Sequence, residues 1–367
     1  MIECLRSQRF WKDFDWPLFA AALLLSIISV TEIYSSTLTL QSENYFIRQM
    51  AWVGVGVVCL FIVAALDYHA ICEHIPWLYL MAVLVLLYTL VFGTTVSGSQ
   101  SWIAFGSARF QPSEFVKMVV VLALARYFSE LRSNRYMNFA QIAKAGIICG
   151  VPTLLVALQP DLGTALTYMP ALAVGLFIRG VRPAAVVSLV LIFVLVLPIA
   201  WFFLKDYQKD RILTFAHPER DPLGRGYQVI QSKIAIGSGG LLGKGLLKGS
   251  QNQLGFLPER HTDFIFSVVG EELGFIGVIV SLGLLVFIVF RLMDNARMAR
   301  DNLGLFIAMG VVGIYFFHIV VNVGMVIGFM PITGIPLPFL SYGGSSVLTA
   351  FAALGLVISV RRCRYVN

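Results

Sequence analysis

The chain has 367 residues, 58% of them hydrophobic and 13% charged, with a formal charge of +7 and a mean hydropathy of +0.82. A soluble domain carries roughly 25% charged residues, so an ordinary cytosolic enzyme is excluded, and so are a disordered chain, a collagen and a disulfide scaffold. Apolar runs of about 18 residues or more recur along the chain and describe an all-α, polytopic integral membrane protein, whose length counts spans instead of globular domains.

In chain order, ten spans are expected at 16–36, 45–66, 75–92, 112–128, 139–159, 161–179, 183–204, 264–290, 304–329 and 344–360. Each is near the ~20 residues needed to cross the hydrocarbon, the fourth and tenth being short. Arg6, Arg9 and Lys12 precede the first run, but no A-x-A-like cleavage site follows, so the first span reads as uncleaved. With the N-terminus inside, the cytoplasmic segments collect Arg126, Arg132, Arg135, Arg179, Arg182, Arg291, Arg297, Arg300, Arg361, Arg362 and Arg364 as well. The short outer loops add little more than Arg109, and the positive-inside rule places both termini in the cytoplasm. This clustering also accounts for the basic charge without nucleic acid. Cys59 and Cys149 fall in apolar runs and Cys4, Cys72 and Cys363 in cytoplasmic segments, so neither a disulfide nor a CxxC metal site is implied.

Residues 205–263, between the seventh and eighth spans, form a long polar extracytoplasmic loop within a single transmembrane domain covering 1–367. Connections of that length are functional or disordered. Its stretch Tyr227–Ile236 has the pattern of an amphipathic helix, and the following GSGGLLGKGLLKG offers mobile backbone, together suggesting a lid or half-helix on the outer leaflet. The glycines do not make a nucleotide site. A Walker loop ending at Lys244 meets Ser238 and Gly245 at positions needing Gly and Ser or Thr, and a GxGxxG from Gly237 meets Leu242.

Ionisable groups inside spans cost at least ~2.5–3.5 kcal/mol on insertion scales and are therefore paired or functional. Those in or beside the expected spans are Glu32, Arg48, Glu114, Lys117, Asp161, Glu271 and Glu272, with His318 and Asn322 as polar companions. Most lie toward the outer ends of their spans, which points to an outward-facing polar cavity. Glu114 and Lys117, three residues apart after Pro112, share a helix face and form either a packing ion pair or a cavity wall that positions a headgroup. Asp161 opens the sixth span as a helix cap or a cavity carboxylate. Arg48 and Arg109 either snorkel to lipid phosphate or bind pyrophosphate. His318 and Asn322, four apart, suit a helix–helix hydrogen bond.

Where the loop re-enters the membrane, Pro258–Phe266 places Asp263 at the boundary between water and apolar chain. Partial desolvation and the neighbouring Arg260 and His261 act on its proton affinity in opposite directions, a balance suited to a general base; the alternative is a helix cap. Glu271 and Glu272 follow two turns later as a carboxylate pair that could hold a divalent cation. Before the last span, FMPITGIPLPFLSYGGSS (329–346) carries three prolines and three glycines, and non-helical backbone at membrane depth belongs where it is buried or lines a wet cavity. Ser341, Ser345 and Ser346 at the following helix start could bind an anion, or the segment is a rigid turn.

Five ordered motifs, QPSEFVK at 111–117, QPDLGTA at 159–165, DPLGRGYQVIQSKIAIGSGGLLGKG at 221–245, LPERHTDFIFSVVGEELG at 257–274 and PLPFLSYGGSS at 336–346, resemble the SEDS family (shape, elongation, division and sporulation) over almost the whole chain. The short N-terminal tail and LPERHTDF look like its RodA branch. The resemblance implies a peptidoglycan glycosyltransferase of the bacterial inner membrane that polymerises lipid II, carried on undecaprenyl pyrophosphate, with a class B penicillin-binding protein as cross-linking partner. It also places the family's essential loop aspartate on Asp263, its fourth-span acid and base on Glu114 and Lys117, and its PDLGT aspartate on Asp161. Inversion by a single displacement then needs Asp263 as base, with Arg48, Arg109, Lys117 or loop lysines on the pyrophosphate and Mg2+ or Mn2+ as electrophile; no second nucleophilic carboxylate is called for. A flippase of lipid-linked precursor is the rival reading, and would spread polar groups through the full membrane depth. A scaffold that only recruits a synthase would leave Asp263 dispensable.

Overall fold

The computed structural model describes residues 10–38, 44–96, 98–105, 108–131, 136–185 and 224–365, together with scattered positions between 187 and 215. The span expected at 183–204 and the first part of the expected loop fall largely outside the described residues. Helices α1 (Phe10–Asp13), α2 (Trp16–Thr37), α3 (Tyr45–Ala65), α4 (Tyr68–Glu73) and α5 (Ile75–Phe92) lead into three short strands. These are β1 (Thr94–Val96), β2 (Ser99–Phe105) and β3 (Ala108–Phe110), an antiparallel meander in which Thr94 faces Trp102 and Ala104 faces Arg109. After them come α6 (Pro112–Glu130), α7 (Phe139–Leu158), α8 (Leu162–Leu166), α9 (Met169–Arg179), α10 (Arg225–Ser238) and α11 (Ser250–Gln253), then α12 (Ile265–Glu272), α13 (Gly274–Arg297), α14 (Asn302–Val326) and α15 (Gly344–Arg362).

Local chemistry sets the starts of these helices. Asp15, Asp67, Asn138, Asp161 and Asp301 cap the first turns of α2, α4, α7, α8 and α14 with their side-chain oxygens, satisfying amides that a helix leaves open. Among the described residues eight helical segments are long and apolar enough to cross a membrane, α8 and α9 counting as one. Helix α6 has the length but carries Glu114 and Lys117 and is not among the eight.

Two expected spans are broken. The sixth splits at Thr167–Tyr168 just before Pro170, and the eighth splits at Leu273, where Gly274 adopts φ +66. Helices α14 and α15 form the centre, and α15 lies closest on α3 because small residues let the backbones approach: Gly56 sits under the Phe351 ring and Gly355 under the Leu60 carbonyl. The outward faces of α3, α5 and α13 expose Val58, Met81, Phe92 and Phe290, which bilayer lipid covers.

Helix α10 packs one face on the bundle: Val229, Ser232 and Ala235 are buried, and Ser232 Oγ donates to Val326 O (2.7 Å) beside Ser267 Oγ (2.8 Å). The glycine-rich backbone after it is packed, not mobile. A side chain at Gly239 would collide with the Gly270 carbonyl and one at Gly243 with that of Glu272, while Lys244 N and Gly245 N donate to Glu271 O and Glu272 O (both 3.0 Å). Glycine permits this approach to the last turn of α12.

Candidate active site

Asp263 ends a tight turn before α12. The amides of Thr262 and Asp263 donate to Glu259 O (3.2 and 3.1 Å), and Glu259 takes φ +47 to make that possible. Arg260 is buried and donates to Asn252 O, and burial pulls its guanidinium below the ordinary value. One direct bond and one bridge tie the turn to the segment before α15: Tyr342 N donates to His261 O (2.9 Å), and Asn322 Nδ2 donates to both Asp263 O (3.1 Å) and Ile335 O (2.9 Å). The Asp263 side chain is half-buried. Its Oδ2 lies 3.6 Å from the point a Cβ would occupy on Gly334 (φ +72), so the carboxylate sits over a stretch of bare backbone.

On the other side of that backbone stands α8, whose Gly163 is pressed against Thr333 O. Asp161, half-buried, accepts from Thr164 N (3.1 Å) and from Gln111 Nε2 (2.8 Å). It is therefore a helix cap and a tie to the start of α6 at once. Segment 333–335 thus runs between the Asp161 and Asp263 regions.

Behind this surface lies a buried charge network. Lys117 Nζ donates to both Glu114 oxygens (3.1 Å each) and to His318 Nε2 (3.1 Å), all three residues being buried. An ammonium only donates, so Nε2 accepts and the proton is on Nδ1, which donates to Pro336 O (2.8 Å). His318 thus joins helix to helix by accepting from Lys117 of α6 while its Nδ1 holds the Pro336 carbonyl, whereas Asn322 holds the carbonyls of Ile335 and Asp263. The network borders a narrow cavity of 30 Å³ with Tyr315, Ser341 and Ser346, enough for about two waters. A saccharide does not fit there.

The hydroxyls expected to bind an anion have protein partners. Ser345 Oγ accepts from Gln111 N (2.9 Å), Ser346 Oγ donates to Gly343 O (3.0 Å) and Ser341 Oγ accepts from Leu337 N (2.8 Å). Arg48 on the first turn of α3 and Arg109 on β3 are exposed. Glu271 and Glu272 are not an open cation pair. Glu271 accepts from Gln251 N, Asn252 N and Lys244 Nζ at 2.7–3.0 Å, and Glu272 from Ser35 Oγ, Asn252 Nδ2 and Leu247 N at 2.6–3.0 Å. They anchor residues 244–253 to the bundle. Among the described residues no three His, Cys, Asp or Glu side chains converge as metal ligands, and Cys59, Cys72, Cys149 and Cys363 are free thiols.

Sequence reasoning missed the part played by Asn252, which joins Arg260 to Glu272, and the meander before α6, which places Gln111. The Gly93, Gly98 and Gly106 punctuation was the available signal for the meander.

The family model described as "Cell cycle protein", which unites FtsW, RodA and SpoVE, matches residues 14–365. The chain is 38% identical over 368 residues to peptidoglycan glycosyltransferase MrdB of Escherichia coli K12, covering 99% of this chain and 98% of that one. It is 36% identical to peptidoglycan glycosyltransferase RodA of Treponema pallidum, covering 95% and 97%. Among solved structures it resembles a chain of a peptidoglycan synthase complex that coordinates polymerization and crosslinking (TM-score 0.81, 35% identity, 96% of this chain and 99% of that one). Rod shape determining protein RodA of Thermus thermophilus follows the same path (TM-score 0.71, 28% identity, 96% and 98%). With a family match from end to end and relatives above 30% identity over nearly their full length, this chain belongs to the FtsW, RodA and SpoVE family of integral membrane proteins.

Proposed function

We propose that the chain is a peptidoglycan glycosyltransferase that polymerises lipid II into glycan strands during rod elongation, by inverting displacement on the periplasmic face of the inner membrane. The observation that carries this reading is the half-buried Asp263 carboxylate, held by two backbone ties over the open backbone at Gly334. A base at that point takes the proton of an acceptor sugar hydroxyl as it attacks the anomeric carbon of the donor, and the lipid pyrophosphate leaves. The leaving group needs cations more than it needs an acid. Arg48 and Arg109, both exposed, are the cations assigned to it. Lys117 is buried and committed to Glu114 and His318, so it acts by holding the floor at Pro336.

Mg2+ or Mn2+ suits hard oxygen donors. Glu271, Glu272 and Asp161 do not fit it, their oxygens being taken by protein donors, whereas the half-buried carboxylate of Asp263 would hold it. Bound there, the ion would neutralise charge on the pyrophosphate. A class B penicillin-binding protein is the partner we infer, on the strength of the solved complex that joins polymerization to crosslinking. Lipid II, the lipid-linked glycan and membrane lipids complete the set.

The test is polymerisation of lipid II by purified protein with divalent cation. Asp263→Asn and Asp263→Ala are expected to lower the rate by about 10²–10⁴-fold, the usual worth of a general base. Full activity of the Asn variant removes the base role. Movement of labelled lipid between leaflets without polymer supports the flippase reading instead.

A further inference from the structure

Asn322, in the last turns of α14, is fully buried where three stretches of chain meet: its own helix, the turn before α12 and the segment before α15. A primary amide has two N–H groups, and both are in use. One goes to Asp263 O (3.1 Å) and the other to Ile335 O (2.9 Å). Turning the amide over would set Oδ1 against two carbonyl oxygens, so these acceptors fix which end faces them.

The two carbonyls belong to the two sides of the site. Amides of Thr262, Asp263 and Phe264 all point at Glu259 O, and the ladder of α12 begins one residue later, with Phe264 O accepting from Ser267 N (2.9 Å) and Val268 N (3.4 Å). Asp263 O therefore lies at the seam between turn and helix, where Asn322 reaches it from the side. Ile335 follows Gly334, whose φ of +72 and bare Cα leave Asp263 Oδ2 3.6 Å from the place of a Cβ. One nitrogen thus holds both the peptide that carries the base and the peptide next to the backbone beneath it. His318, one turn earlier, holds Pro336 O (2.8 Å), so α14 grips two consecutive carbonyls of that segment. The arrangement opposes folding in one respect: Asn322 Oδ1 is buried and has no hydrogen-bond partner among the described residues. A local rule broken in this way is expected where placement matters more than stability.

We propose that Asn322 is a positioning residue of the transfer reaction, which sets the Asp263 carboxylate at a fixed height and angle over Gly334 by holding the main chain on both sides. The assignment rests on the glycosyltransferase reading. Being fully buried, Asn322 meets no substrate and acts through Asp263. A base that takes a proton while the same oxygen attacks must be held in line with that oxygen, and a misplacement of about 1 Å lowers a rate by about 10²-fold. Without the amide, the turn and the 333–336 segment would be free to shift against each other. Binding of the lipid-linked sugars, which Asn322 does not touch, would be left nearly as it was.

The test is the kinetics of lipid II polymerisation by Asn322→Leu, which keeps the volume and removes both donors. Its kcat is expected to fall about 30-fold with KM for lipid II within about threefold of the parent, rates being taken per folded protein from thermal unfolding of the same sample. If Asn322→Leu does not fold, Asn322→Ser, which adds no bulk and keeps one donor, decides with an expected fall of about tenfold. A parental kcat in the folded variant, or a raised KM with kcat unchanged, overturns the positioning role. The second readout is a double-mutant cycle with Asp263→Asn. With no base left to place, Asn322→Leu should slow the residual rate by less than about threefold; a further full 30-fold loss means that Asn322 acts independently of Asp263 and overturns the proposal. Where the residual rate is below detection, the division between kcat and KM decides. Asp263→Asn alone separates the two levels. Parental activity there defeats the glycosyltransferase mechanism, whereas an impaired Asp263→Asn beside an unaltered Asn322→Leu defeats the positioning role alone.

Discussion

At the end of the bundle where α2 begins, the Asp15 carboxylate is fully buried and accepts from Leu18 N, Arg291, Asn295 and Arg361 at 2.7–3.2 Å. Near the other end of the same helix Glu32 is equally buried, yet among the described residues neither of its oxygens has a hydrogen-bond partner, and the charge that acts on it is the like-signed Glu272. One acid joins α2, α13 and α15 into a clamp; the other carries desolvation without repayment. The contrast separates a face built to stay shut from a face where polar groups are left partly unspent beside the reaction. Arg126, Arg179 and Arg362 strengthen the closed face by donating to the carbonyls of Cys72, Leu131 and Ala64 at helix ends.

The contrast can be broken in four ways, taken from the largest expected effect to the smallest. Lys117→Met leaves Glu114 charged and without its cation in the buried network, and unfolding in detergent is expected to fall by about 3–5 kcal/mol. Adding Glu114→Gln should recover most of that loss; if it does not, the pair is not what holds α6 to α14. Asp15→Asn removes the shared acceptor of two arginines, and stability is expected to drop by about 1.5–3 kcal/mol, with turnover of the folded fraction preserved. A selective loss of kcat there would mean that the two faces are coupled. Glu32→Gln replaces a buried carboxyl that finds no hydrogen-bond partner among the described residues, so thermal unfolding should show a gain of about 1–3 kcal/mol, and a loss would reveal a partner for Glu32 in the working enzyme.

The smallest effect concerns acid. Burial raises the affinity of Asp301 for a proton, but Gly304 N, His69 and Tyr68 outweigh it and hold the carboxyl below its ordinary value. A group depressed in the folded state contributes stability above its unfolded value of about 3.9 and loses it as pH falls through the folded one. Asp301→Asn should therefore flatten the decline of the unfolding midpoint below about pH 4 while also lowering the plateau near neutrality. An unchanged acid slope would remove Asp301 from the account.

Much of this architecture was legible because hydrocarbon thickness and apolar run length are the same measurement. The Glu114 and Lys117 pair was legible from helical spacing, and Asp263 from its place at the end of a polar run. What escaped was tertiary. Spacing put His318 and Asn322 on one face but could not reveal that their acceptors are carbonyls of 335 and 336, which become neighbours only after the chain returns. Counting Arg291 and Arg361 as orientation signals concealed their second use, because the count ignores Asp15, 276 and 346 residues away. The glycines after α10 looked loose since composition alone cannot tell a backbone that roams from one that must come close. Breaks at Leu273 and Thr167 were hidden inside continuous apolar text.

The pressing of Gly239 and Gly243 onto the last turn of α12 has a consequence for how this stretch tolerates change. Leu241 and Leu242, 71% and 78% exposed, lie between these positions and should accept almost any greasy replacement. A methyl group added at Gly239 or Gly243 would act as a wedge, levering α12 away and dragging the aspartate at its head out of register, so that a mutational scan should read this stretch as a comb of silent and lethal teeth.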